Sequence, residues 1–208
     1  SLGIIAGAAA GALMAAIFGW LTLTLLANQV ATGLALTIFG VGFSALIGSA
    51  FVGFAIEPLP KLNLPGLSEI PIVGPLLFGQ DFLVYLSFAS VFAVGWFLKN
   101  SHGGMVLRAV GESHDSAHAI GYNVIGIRYL ATMFGGAMSG LGGAYLSLVY
   151  TPMWAENMTS GRGWIALALV VFATWRPGRL ILGAYMFGGI TILQLNAQGL
   201  GLAVPSQL

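Results

Sequence analysis

Two short polar stretches hold the side chains best placed to do chemistry. The first, residues 99–128, carries Lys99, Arg108, Glu112, Asp115, Arg128 and all three histidines. His114 and His118 are four residues apart and would share one helix face, which is metal-ligand spacing, with Asp115 close by. A third firm ligand is lacking and the chain has no cysteine, so a solvated pair is expected there and no metal site. The second stretch holds Glu156, Asn157, Thr159, Arg162 and Trp164. The Asn157 amide, like that of Asn28, can hydrogen-bond a small polar solute, and the Trp164 indole can stack on a ring. The same residues would also serve as interfacial anchors, since Trp is enriched where membrane meets water. Asn28 and Gln29 make a third, smaller polar point. Neither a G-x-S-x-G nucleophile elbow nor a GxxxxGK[ST] phosphate loop occurs. These residues point to non-covalent recognition, and catalysis has no support.

The elements that must carry them are apolar. Of the 208 residues, 58% are hydrophobic and only 6% charged, whereas soluble domains carry about a quarter charged. No Asp, Glu, Lys or Arg occurs in 1–56, 129–155 or 180–208. A helix crosses a bilayer with about 20 apolar residues, so the first run is long enough for two spans. Barrel strands would alternate apolar and polar residues, and these runs are apolar all round. The expected fold class is all-α, a polytopic transmembrane helical bundle with lipid as its solvent. The net charge of +1 gives no support to a nucleic-acid partner.

Expected spans are 2–26, 30–56, 81–98, 129–150 and 180–195, with a half-length apolar piece at 164–175 that either crosses or re-enters. Pro58, Pro60, Pro65, Pro71 and Pro75 exclude a long helix from 57–80, which reads as a loop. Basic residues of short loops face the cytoplasm. That puts 99–128 inside and 57–80, where Lys61 is set against Glu57 and Glu69, outside. Counting spans then puts Asn28 on the cytoplasmic side and Asn157 on the outer side.

Small residues recur at steps of four: Gly3, Gly7, Gly11, Ala15 and Gly19, and again Gly136, Gly140 and Ala144. Each set forms a groove that another helix backbone can enter. A shift of 129 lays Gly7, Gly11 and Ala15 on Gly136, Gly140 and Ala144, and Asn28 on Asn157. The two copies would cross in opposite directions, as inverted transporter repeats do. The competing reading is coincidence among common small residues.

Within 99–128, Ser113 suits an N-cap and Asp115 the first turn of a helix. Ala117, Ala119 and Ile120 offer a small apolar face, and Gly121 can end the helix at positive φ. The pattern predicts a short exposed helix over about 113–120, able to dock into a groove on a partner or to act as a plain connector.

The runs "RAVGES", "A-AIGYNV", "GGAMSGLGGAYLSL" and "ENMTSGRGWIALALVVFATWRPG" resemble the permease subunits of ATP-binding-cassette importers. The likeness is to the simple-sugar and purine-nucleoside branch, related to the branched-chain amino acid permeases, and is stronger over the second half of the chain. It implies a permease fold moving a nucleoside or simple sugar by alternating access. Gly111, Glu112, Ala117, Ile120 and Gly121, with Arg108 and Asp115, would form the coupling loop at 99–128. Asn28, Gln29, Glu156, Asn157, Arg162 and Trp164 would line the substrate pathway. The implied partners are an ATPase subunit that binds the ATP, a second permease subunit and an extracytoplasmic substrate-binding protein. The implied location is the bacterial cytoplasmic membrane, with no cofactor or enzymatic activity on the chain itself. Members of the family are longer at both ends, so further helices are expected there. Members of the nucleoside branch often carry an acidic residue where this chain has Gln29, which leaves the solute open.

A different class, an ion- or proton-coupled secondary transporter, is allowed by the repeat and the half-length segment. It lacks the intramembrane carboxylates and histidines of a proton relay. A passive channel has no filter motif such as TVGYG.

Overall fold

A computed structural model describes residues 2–54 and 79–199. The proline-rich loop expected at 57–80 therefore lies outside the described residues, except for its last two positions. The helices are α1 (Leu2–Gly19), α2 (Gln29–Gly48), α3 (Phe82–Asn100), α4 (His102–Glu112), α5 (His114–Ala119), α6 (Val124–Tyr145), α7 (Arg162–Phe172) and α8 (Pro177–Gly199). Five-residue π-helical turns extend α1 through Trp20–Thr24 and α6 through Leu146–Tyr150. Among the described residues there is no strand, only an isolated bridge between Val52 and Trp154.

Four of these segments are long and apolar enough to cross a membrane: Leu2–Thr24, Gln29–Phe51, Phe82–Asn100 and Val124–Tyr150. Few residues are buried, and side chains such as Ile38, Leu46 and Leu182 are more than 70% exposed. In water such exposure would be untenable, whereas lipid tails accept it and the backbone satisfies itself within each helix.

The tightest contact is between α1 and α6. Gly3 lies beside Leu148, Gly7 beside Gly140 and Ala144, Gly11 beside Gly136 and Gly140, and Gly19 beside Tyr129. Partner numbers fall as α1 numbers rise, so the helices are antiparallel. A Cβ at Gly7 would sit 3.0 Å from the Ala144 Cβ, and one at Gly11 or Gly140 would strike the other helix's backbone. The two small-residue stripes thus face one another. Gly7 meets Ala144, while its counterpart under the 129 shift, Gly136, meets Ala15, the counterpart of Ala144. Gly11 meets its own counterpart, Gly140. Such reciprocity is what a two-fold axis between antiparallel copies produces. The correspondence does not reach the asparagines. Asn28 is an extended N-cap at φ −60, and Asn157 sits in a left-handed turn at φ 60.

A second group joins α3, α7 and α8. Gly95 lies against Pro177 and the Phe88 ring stacks on Tyr185 at 6.0 Å, so α8 runs antiparallel to α3. Leu169 and Phe172 of α7 pack on Gly183 of α8. The piece expected at 164–175 is an 11-residue helix, about 16 Å long at 1.5 Å per residue. This is half a hydrocarbon core. The Gly95–Pro177 contact brings Arg176 and Arg179 to the end of the bundle where α3 finishes.

The interval 99–128 is more helical than expected. α3 continues through Asn100 and α6 starts at Val124, leaving 101–123 as the connector with two short helices in it. The extra helix, α4, contains the weak helix formers Gly103 and Gly104. Ser101 caps it, accepting from the Gly104 amide at 2.9 Å, and Val106 and Val110 align one turn apart on its inner side.

Candidate functional site

The connector is built around one small apolar plug. Val110 of α4, Ala117 of α5 and Val124 of α6 are buried together, with Val106 and Ile127 packed against them. Ser113 caps α5, its hydroxyl accepting from the Ser116 amide at 3.3 Å. Asp115 lies in the first turn, and Gly121 follows the helix at φ 89, where a side chain would be strained. Asn123 caps α6 by accepting from the Gly126 amide at 3.0 Å. His114 donates from Nδ1 to the Val110 carbonyl oxygen at 2.6 Å, tying α5 to the end of α4.

Arg108, Gly111, Glu112, Asp115, Ile120 and Gly121 are exposed, and Ala117 is 1% exposed. The apolar face expected from Ala117, Ala119 and Ile120 is therefore split. Ala117 enters the plug, while Ala119 and Ile120 (72% exposed) point away from it. A six-residue helix presents only one of these directions to α4 and α6. The outcome is a largely polar surface on which Met105 and Ile120 are the exposed large apolar side chains of the helix pair.

Asn28 and Gln29 belong to this end too. The Thr24 hydroxyl at the end of α1 lies 2.6 Å from that of Tyr129, near the start of α6. Asn28 follows and accepts from the Val30 and Ala31 amides at 3.0 and 3.1 Å, so its carbonyl oxygen serves α2 as a cap.

The other polar residues meet at the opposite end of α6. The turn 151–161 packs on α2, where a Cβ at Gly48 would strike the Trp154 indole. Between them lies a groove of about 800 Å³, which Glu156, Asn157 and Trp164 help to line. Trp164 is 69% exposed. Arg162 stands apart from that lining, its guanidinium 5.0 Å above the Tyr150 ring, a cation–π distance. The six pathway residues are thus divided between two ends of the bundle. Sequence reading passed over the hydroxyls Thr37, Ser44 and Ser147, which also line the groove. Thr37 and Ser44 are seven apart on α2, two turns along one face, and that spacing was the available signal. It also passed over Asp81, an acid only 8% exposed at the start of α3.

A glycine-sealed antiparallel helix pair, with a plugged polar connector at one end and a polar groove at the other, sets the comparison with known proteins. Residues 1–205 match the family model described as branched-chain amino acid transport system / permease component. The chain belongs to this family. A protein of Haloferax volcanii, named as a candidate glucose ABC transporter permease, is 42% identical over 207 residues, 98% of this chain and 63% of that protein. A guanosine ABC transporter permease of Bacillus subtilis is 31% identical over 193 residues, covering 90% of this chain and 60% of its own length. A nucleoside ABC transporter permease of Lactococcus lactis is 28% identical over 197 residues, covering 92% and 62%. The chain spans about three fifths of the length of these relatives. No solved structure gives a significant match. This permease-family chain is a multi-pass membrane protein.

Proposed function

We propose that the chain is the membrane-spanning permease subunit of an ATP-driven importer for a nucleoside or simple sugar, working by alternating access in a prokaryotic cytoplasmic membrane. The observation that carries this reading is the α4–α5 pair. Its exposed face holds Arg108, Glu112 and Asp115, and its buried face is one plug of Val110, Ala117 and Val124 continuous with α6. A push on α4–α5 would reach α6 through that plug and α1 through the glycine seam, since packed elements move as bodies. ATP would be bound and hydrolysed by a separate ATPase subunit seated on that face. A second permease subunit would complete the pathway, and an extracytoplasmic binding protein would deliver solute. Glu156, Asn157, Trp164 and Ser44 in the groove suit a polyhydroxylated ligand with a ring face: hydrogen bonds for hydroxyls, an indole for stacking. The relatives named for glucose, guanosine and nucleosides support that solute class.

The test is uptake of radiolabelled sugar and nucleoside by cells carrying Glu112→Lys or Gly121→Arg, alongside co-purification of the ATPase subunit. The expected result is membrane insertion as in the parent with ATP-dependent uptake lost. Full uptake in both variants would remove the coupling role from α4–α5.

A further inference from the structure

The transport reading leaves unused a cavity of about 930 Å³ between α3, α6, α7 and α8. Its walls include Val84, Val91, Leu141, Val170, Leu180 and Ala184. Ser87 and Ser90 also line it, but their hydroxyls donate to the Val84 and Leu86 carbonyls of their own helix, each at 2.7 Å. Apolar walls neither order water nor reward a polar solute.

Besides the Tyr145 phenol on α6, one stretch of the cavity wall is different. Trp175 and Arg176 line it where α7 gives way to α8. Arg179, in the first turn of α8, donates from Nη1 to the Thr174 hydroxyl at 2.9 Å. That bond holds the guanidinium beside the α7–α8 turn and leaves its other N–H donors free of that contact. Lys99 approaches from α3. A Cβ at Gly95 would lie 3.9 Å from that of Pro177, and Lys99 is one turn further along the same face, about 6 Å on. Trp96 and Trp175, 63% and 75% exposed, stand beside these cations as interfacial aromatics do.

A long apolar slot with cations at one end has the shape and polarity of a phospholipid. We infer that this slot binds one anionic phospholipid, its phosphate held by Arg176 and Arg179 with Lys99 near, and an acyl chain lying between α3 and α8. Basic pockets between spanning helices on the cytoplasmic side suit such headgroups. The slot lies apart from both the polar groove and the α4–α5 face, so the inference stands independently of the transport reading.

Native mass spectrometry of the purified full chain, titrated in parallel with phosphatidylglycerol and phosphatidylcholine, tests it. The parent should retain phosphatidylglycerol in preference. Arg176→Gln should weaken that retention about fivefold and Arg176→Gln/Arg179→Gln roughly 25-fold, since each cation near the membrane surface contributes about that factor. Phosphatidylcholine binding should hardly change in either. Gly188→Phe, at a lining position where an added Cβ meets nothing within 4 Å, should fill the slot and release phosphatidylglycerol while both arginines remain. Thermal melting of each variant separates lost lipid from lost fold. Undiminished phosphatidylglycerol retention in the double arginine variant, or in a folded Gly188→Phe protein, would overturn the site. So would equal retention of the two lipids by the parent.

Discussion

α1 with α6 and α3 with α8 are both antiparallel pairs of apolar helices, yet one pair is sealed and the other leaves a slot. Lipid tails are as apolar as leucine, so nothing squeezes two such helices together for lack of water. What holds them is close fit. α1 offers a small residue at every fourth position and α6 offers three in matching register, so backbone meets backbone along the seam. α3 offers Gly95 at its contact with α8, while Phe88 and Tyr185 stack higher up and prop the helices apart. The spacing of small residues, more than overall hydrophobicity, decides which pairs close.

The contrast can be broken most directly at Gly11. Gly11→Leu would force a side chain into the Gly136 carbonyl, an overpacking cost of about 3 kcal/mol. A thermal melt in lipid nanodiscs should fall by roughly 6–12 °C for a chain of this size. Gly135→Leu, next to Gly136 on the partner helix α6 but with nothing within 4 Å of an added Cβ, should melt close to the parent. Equal losses at the two positions would end the distinction between seam and open face.

Val110→Ala removes a residue that is only 2% exposed from the connector plug and should cost about 2 kcal/mol. Because the plug is local, the loss should be read as faster amide exchange over 102–123, with the α1–α6 seam unchanged. If α1 and α6 loosened equally, the plug would be part of one core with the seam.

The open region should also be improvable where the sealed one is not. Thr174 and Trp175 adopt φ of 50 and 59 in succession, a strained conformation for a β-branched residue and for an indole. Thr174→Asn, a residue that tolerates this region and keeps an acceptor for Arg179, should stabilise by about 1 kcal/mol. Its melt should rise by a few degrees; a fall would mean that this turn is not strained. The smallest change is expected back in the seam. Thr24→Val deletes the 2.6 Å contact with the Tyr129 hydroxyl and should cost about 0.6 kcal/mol, the average for polar bonds between membrane helices. A loss several times larger would make that hydrogen bond, and not the glycines, the lock on α1 and α6.

The parts legible in the sequence share a physical cause: they are local. The spans follow from uncharged runs. The ends of α5 follow from Ser113, whose hydroxyl reaches an amide three residues on, and from Gly121, whose φ needs no partner elsewhere. α4 was missed because Gly103 and Gly104 argue against a helix, and only the plug of Val106 and Val110 against α6 outweighs them. The split of Ala117 from Ile120 escaped for a similar reason. Both are apolar, and which one turns inward depends on where α4 lies.

By itself the sequence determined that this chain lives in lipid, that it crosses as helices, and that one polar connector projects from them. Solvent and backbone energetics act on each segment alone, so composition suffices. Tertiary structure decided that the two glycine stripes are halves of one seam, and that Glu156, Asn157 and Trp164 share a groove with Thr37 and Ser44 of α2. It also decided that Arg176 and Arg179 come to the end of α3. Those outcomes depend on which surfaces meet between helices far apart in the chain, and membrane helices meet by shape, which no stretch of sequence displays on its own.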